Sequence, residues 1–381
     1  MKRADRSVGL PFAMASIILT DCKYLPFFAV LFTKSLIFCI MKESKENAAG
    51  RQAYNEEGIT MNSSVKHLCD AVRDNVGKVI VGKENVVDLM LISLLCGGHM
   101  LIEDVPGTGK TKLVKAFAAS LGCSDSRIQF TPDLLPSDIT GINYFNMKKG
   151  EFEFVPGPVF ASVVLADEIN RATPKTQSGL LECMEEHQAT IDGKTYPLSD
   201  PFMVIATQNP VENMGVFPLP EAQLDRFLVK TTMKYPTHAE NVAILERFCS
   251  SDPLTALQPV ASVQEVLDAR RELDAIFVHH DIFEYISSIC EATRSLEGVV
   301  LGVSPRGAIS LMRVAKGFAA LSGRAYVTPD DVKAAALPTL PHRLTLTGAA
   351  RIRKNAAEAM IAELIGKVTV PTESELGWSR G

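Results

Sequence analysis

Asp104-Val-Pro106-Gly107-Thr108-Gly109-Lys110-Thr111 lies between an apolar run over 99–103 and an amphipathic run over 110–121 that Gly122 stops. The order reads strand, glycine-rich turn, helix, and it decides the fold. In such a turn the backbone N–H groups and the helix N-terminus cradle phosphate oxygens, and only glycine lets the chain come that close. Lys110 adds a point charge for β- and γ-phosphates, and the Thr111 hydroxyl is a magnesium ligand. Lys112 shares their helical turn. The usual pattern has glycine at position 104, where this chain has aspartate. By itself the remaining G-x-G-K-T also reads as a turn with an incidental lysine. The strand before it and the helix after it weaken that reading.

Working outward, Val163-Val-Leu-Ala-Asp167-Glu168 is four apolar residues followed by two acids. A strand emerging at a phosphate site delivers a carboxylate beside the metal. Asp167 would hold Mg²⁺, often through water, and Glu168 would polarise the attacking water. Alone, an apolar run ending in acids is equally a strand entering a solvated loop. Further strands are expected over 127–130 and 203–206. Helices are expected over 63–76, 86–96 and from Thr173-Pro174, where threonine caps and proline fills the first turn. This β-α alternation predicts a parallel sheet with helices on both faces.

Two hairpins interrupt it, one over 143–154 around Lys148-Lys-Gly150 and one over 189–197 around Asp192-Gly193. Beyond Pro236 strand signals stop, and amphipathic helices are expected over 240–249, 262–276, 281–294, 305–321 and 329–336. That change of period divides the chain into a core over 61–235 and a smaller, all-helical lid with a C-terminal tail over 236–381.

Across all 381 residues, hydrophobic content is 46% and charged content 22%, values of an ordinary globular protein. The net charge of −5 offers no basic surplus, so nucleic acid is not expected as the main partner. The eight cysteines are scattered without a C-x-x-C pair, which suits a reducing cytoplasm and no cysteine-bound metal. Residues 1–60 read differently from the rest. They are apolar over 10–40, but Asp21, Lys23 and Lys34 interrupt the run, and Ser7 to Thr20 falls short of the ~20 residues that span a bilayer. No stable membrane insertion is expected of this extension. A basic start at Lys2, Arg3 and Arg6 fits a signal peptide, but no small-residue cleavage site follows.

Phe130-Thr-Pro-Asp-Leu-Leu-Pro-Ser-Asp-Ile-Thr-Gly141, Ala166-Asp-Glu-Ile-Asn-Arg-Ala172, Pro174-Lys-Thr-Gln177, Ala206-Thr-Gln-Asn-Pro210 and Phe217-Pro-Leu-Pro-Glu-Ala-Gln-Leu-Asp-Arg-Phe227 are more specific than composition explains. Together they resemble the MoxR family of AAA+ ATPases, over about residues 62–345. The resemblance implies an AAA+ P-loop core with a helical lid, and aspartate at 104 is a familiar substitution there. It implies ATP and Mg²⁺ as cofactors. Asn209 resembles sensor 1, an amide that orients water and the γ-phosphate; read alone, it is an Asn-Pro turn. Arg226 resembles the arginine finger that reaches a neighbouring subunit's site; read alone, it is a helix-surface arginine paired with Asp225 or Glu221. Arg306, in the first turn of a lid helix capped by Ser304, resembles sensor 2 and would face phosphate. Val81-Gly82 resembles the loop packing near the adenine. The two hairpins resemble the inserts of this AAA+ branch, and each is either a client-touching element or a structural edge.

The function implied is ATP hydrolysis driving the remodelling, maturation or cofactor insertion of client proteins, by a homo-hexameric ring. A von Willebrand factor A domain protein is the partner that the resemblance suggests. A chelatase-type motor subunit and a nucleotide-gated adaptor without useful turnover are the competing readings. The complete set Asp167, Glu168, Asn209 and Arg226 disfavours the adaptor.

Overall fold

The structure, a computed structural model, describes residues 63–104, 107–209, 216–353 and 355–371. The expectations for residues 1–60 and for Pro106 lie outside the described residues. The described part of Met61–Gly381 packs as one compact unit.

Helices α1 (Ser63–Gly77) and α2 (Glu84–Leu95) precede β1 (Met100–Asp104), and α3 (Lys110–Ser120) follows it. Next come β2 (Asp125–Gln129), the hairpin of β3 (Gly141–Asn146) and β4 (Glu151–Pro156), and β5 (Val163–Asp167). Helix α4 (Pro174–Glu186) leads to a second hairpin, β6 (Gln188–Ile191) with β7 (Lys194–Pro197), then β8 (Met203–Gln208) and β9 (Val229–Met233). Five of these strands form one parallel sheet in the order β2-β5-β8-β1-β9.

Both faces of this sheet are buried, and the strand pleat divides them. Met100, Ile102, Val163, Leu165, Met203 and Ile205 face the helices α1, α2 and α3. Leu101, Val164, Ala166, Val204 and Ala206 face the opposite core, with Leu180, Leu181 and Met184 of α4. Continuous apolar runs are what a strand covered on both sides requires. Strand β9 was not anticipated. Val229-Lys-Thr-Thr-Met233 is an edge strand buried only at its ends, so its composition carries little strand signal.

The lid follows: α5 (His238–Arg247), α6 (Val263–Asp274), α7 (His280–Thr293), β10 (Val299–Leu301), α8 (Pro305–Leu321), α9 (Pro329–Thr339), β11 (Thr345–Leu346) and α10 (Ala356–Lys367). The first two helices and α9 open with capping boxes, Thr237 with Glu240, Ser262 with Glu265 and Thr328 with Asp331. The lid is thus helical as expected, apart from the short antiparallel ribbon β10–β11. Helix α10 replaces part of the expected tail.

A buried joint fastens the lid to the core. The Arg343 side chain is 2% exposed, and its Nε donates to Asp225 Oδ1 at 2.8 Å. Its Nη2 donates to the Phe227 carbonyl at 2.8 Å and to Ser310 Oγ at 3.1 Å. Burial lowers its pKa to about 10, with Asp225 opposing that fall.

Candidate functional site

Strand β1 delivers the chain to the turn, and Gly107 (φ 86°) and Gly109 (φ 89°) both take left-handed backbone conformations. A Cβ at either would meet nothing within 4 Å, so the backbone conformation, rather than crowding, requires glycine there. Gly109 caps α3 without a side-chain hydrogen bond, so Lys110, Thr111 and Lys112 open a helix whose first N–H groups have no side-chain acceptor at the cap. Such an end is ready to take an anion. Thr108, Lys110 and Thr111 are half-buried around it.

The two acids arrive along β5. Ala166 pairs with Ala206 of β8, which in turn pairs with Leu101 of β1. Asp167 and Glu168 therefore emerge at the same end of the sheet as the turn, with only β8 between the two strands. Two inter-strand spacings give about 10 Å of lateral separation. Asn209 follows β8 directly and is buried between them. Its carbonyl accepts from Asn170 Nδ2 at 3.4 Å.

Thr207 joins the acids. Its hydroxyl donates to Asp167 Oδ1 at 2.7 Å and accepts the Glu168 N–H at 2.8 Å. Glu168 sits at φ 57°, ψ 49°, a left-handed conformation uncommon for a non-glycine residue. Gln129 Nε2 donates to its Oε2 at 2.9 Å, and Arg171 Nε lies 3.2 Å from the same oxygen. Arg127 Nη2 donates to Asp167 Oδ2 at 2.7 Å. Sequence reasoning missed Arg127, Gln129, Arg171 and Thr207. A usable signal was there for two of them: Arg127 and Gln129 are alternate polar residues ending an edge strand, which places both beside the acids.

Thr111 and Asp167 offer hard oxygens, one hydroxyl and one carboxylate, the donor set from which Mg²⁺ takes one or two protein ligands while keeping waters. A guanidinium already at hydrogen-bond distance from Asp167 shows that the position accepts positive charge. The residues fit the ion.

Lys112 is engaged elsewhere: its Nζ is 2.6 Å from Asp252 Oδ2 and 4.2 Å from the centre of the Phe248 ring. It ties α3 to the segment after α5. Val81-Gly82 sits in the loop between α1 and α2, with Gly82 left-handed and pressed against Glu240 of α5, where a Cβ would strike the carboxylate.

Arg226 and Arg306 lie at the other end of the sheet. Arg226 comes three residues before β9, whose first residue pairs with Met100 at the start of β1. Its Nε is 3.1 Å from Glu185 Oε2, and its Nη1 donates to the Leu181 carbonyl at 2.8 Å. Arg306 Nη1 is 3.2 Å from the other oxygen of Glu185. Glu185 lies in the last turn of α4, which runs back from the acids toward the starts of the strands. There His99 Nε2 lies 2.9 Å from the Met184 carbonyl while its Nδ1 accepts the Val204 N–H at 3.0 Å. Strands of five and six residues put the two ends about 15–20 Å apart. The expectation that Arg306 faces phosphate therefore fails for the turn of its own chain. Both arginines are instead turned to the last turns of α4.

A parallel sheet with this turn on β1, acids on β5 and a helical lid after β9 is the architecture of an AAA ATPase. The ATPase family associated with various cellular activities (AAA) matches residues 99–229, and the AAA lid domain matches 291–364. YeaC, an uncharacterized protein of Bacillus subtilis, is 49% identical over 300 residues, covering 79% of this chain and 94% of that protein. Chaperone MoxR1 of Mycobacterium tuberculosis is 40% identical over 314 residues, 80% of this chain and 83% of that one. A crystal structure from Cytophaga hutchinsonii, 40% identical, superposes with a TM-score of 0.76 over 81% of this chain and 96% of the other. The chain belongs to the MoxR family of AAA+ ATPases.

Proposed function

We propose that this chain binds ATP with Mg²⁺ and hydrolyses it to ADP and phosphate, driving the remodelling or maturation of client proteins. The observation that carries this reading is the pair Asp167–Glu168, delivered by a buried strand to the end of the sheet where the turn opens. In this reading the turn from Gly107 to Thr111 binds the triphosphate through backbone N–H groups, and Lys110 adds charge at the β- and γ-phosphates. Mg²⁺, held by Thr111 and Asp167, would neutralise charge developing on the phosphate oxygens. Thr207 fixes the orientation of both acids, and Glu168 takes a proton from the attacking water at a carboxylate oxygen. Gln129 and Arg171 hold that carboxylate until water and phosphate are in place.

Arg226 and Arg306 would serve the site of a second copy, which supports a ring, and we take it to be a homo-hexamer. Clients would meet the β3–β4 hairpin. Its tip exposes Phe145, Met147 and Phe152, with the two rings 5.2 Å apart, edge to face. Apolar side chains so exposed mark a contact surface. A von Willebrand factor A domain protein is the partner we assign, and the cytoplasm is the compartment. Among the described residues no helix is long and apolar enough to cross a membrane.

Steady-state phosphate release tests the reading. Glu168→Gln should retain ATP binding and lose roughly 10²–10⁴-fold in turnover. Wild-type turnover in that variant refutes the assignment of the base.

A further inference from the structure

Two arginines from distant parts of the chain, Arg226 before β9 and Arg306 at the start of α8, share one carboxylate. Glu185 takes Arg226 Nε on Oε2 at 3.1 Å and Arg306 Nη1 on Oε1 at 3.2 Å. One helical turn earlier, the Leu181 carbonyl accepts Arg226 Nη1 at 2.8 Å. Arg226 is thus held to α4 by two of its three guanidinium nitrogens, Nε and Nη1.

Glu185 is itself on a fixed turn. The Met184 carbonyl beside it is bound by buried His99. An acid in the last turn of a helix faces the negative end of the dipole, so the position is unfavourable without cations. Two guanidinia brought this close also repel each other, and a carboxylate shared between them cancels that repulsion. The ion pairs contribute little to stability, because the three side chains are 35%, 31% and 48% exposed for Glu185, Arg226 and Arg306. What the arrangement supplies is geometry: a pair of cations aligned at the end of the sheet opposite their own phosphate turn.

We propose that Glu185 is a positioning residue for the shared ATP site, holding Arg226 and Arg306 together so that both meet the triphosphate bound by a second copy of this chain. The proposal rests on the shared-site reading above.

The test uses full-length chains carrying Glu185→Ala or Glu185→Gln. Both variants should melt as the wild type does and bind a fluorescent ATP analogue with Mg²⁺ unchanged. Glu185→Ala should lose about tenfold or more in kcat with KM for ATP unaltered. Glu185→Gln keeps one acceptor oxygen where the two arginines use two, and loses the charge between them, so it should recover little of that loss. Mixing decides the role. Glu185→Ala mixed with Lys110→Ala should regain turnover, because each copy supplies what the other lacks. Glu185→Ala mixed with Arg226→Ala should not, since both lack the same side of the interface. Rescue in the second mixture, wild-type turnover in Glu185→Gln, or turnover of Glu185→Ala within twofold of wild type overturns the assignment of Glu185 alone. No rescue when Arg226→Ala is mixed with Lys110→Ala overturns the shared site and Glu185 with it.

Discussion

Thr207 shows how much one side chain can organise. A hydroxyl in the middle of an apolar strand end is both donor to Asp167 and acceptor from Glu168. Thr207→Val keeps the shape and removes both bonds, leaving a buried carboxylate oxygen and an N–H without partners. The expected cost is about 1–3 kcal/mol, read from urea unfolding, with a fall in turnover. Unchanged stability and turnover contradict the bridge. His99 is a second case. With Val204 donating to Nδ1, its proton must sit on Nε2, toward the Met184 carbonyl, and a second proton would face an N–H. Burial, opposed by the Met184 bond, lowers its pKa to about 4. The unfolded chain takes up that proton near pH ~6.5, so it binds more protons than the folded chain between the two values. The stability contributed is complete above pH ~6.5 and is lost as pH falls toward 4, on the order of 3 kcal/mol. Unfolding at pH 7 and pH 4.5 should show this slope in the wild type and a smaller one in His99→Gln. Identical slopes contradict it.

At the scale of elements, the lid is fastened by the Arg343 joint, and the core carries a two-hairpin platform. Phe154 of β4 stacks on Tyr196 of β7 at 4.2 Å, and Asn143 donates to Asp192 across the hairpins. The aromatic tip beyond this base has no such packing. Phe152→Ser should therefore leave melting and basal turnover unchanged while reducing capture of client protein. A large loss of stability instead assigns the tip to the core. Arg343→Met should cost about 3 kcal/mol, because Asp225 and three carbonyls lose their donor. A melting temperature like the wild type's contradicts a joint of that weight.

Across the whole molecule, what could be read from the sequence was local and what could not was tertiary. The turn at Gly107, the strand ending in Asp167 and the helices with capping boxes each announce themselves within a dozen residues. Strand β9 does not, because an edge position leaves Lys230, Thr231 and Thr232 only partly covered. The meeting of Glu185 with Arg226 and Arg306 is invisible for a different reason: it depends on the folding back of α4 and on where the lid docks. The same topology places the arginines and the phosphate turn at opposite ends of one sheet. In the proposed shared-site reading a single copy is incomplete as a hydrolase, and turnover should rise more steeply than linearly with protein concentration until assembly saturates. A rate per chain independent of dilution contradicts a shared site.

Titration of the chain with a fluorescent ATP analogue and Mg²⁺ tests the central claim most directly. The account predicts saturable binding to the wild type and to Glu168→Gln, and at least tenfold weaker binding to Lys110→Ala, about 1.5–3 kcal/mol for one charged contact. Equal affinity in Lys110→Ala and the wild type would contradict it, because the triphosphate would then lie somewhere other than the turn that β1 presents.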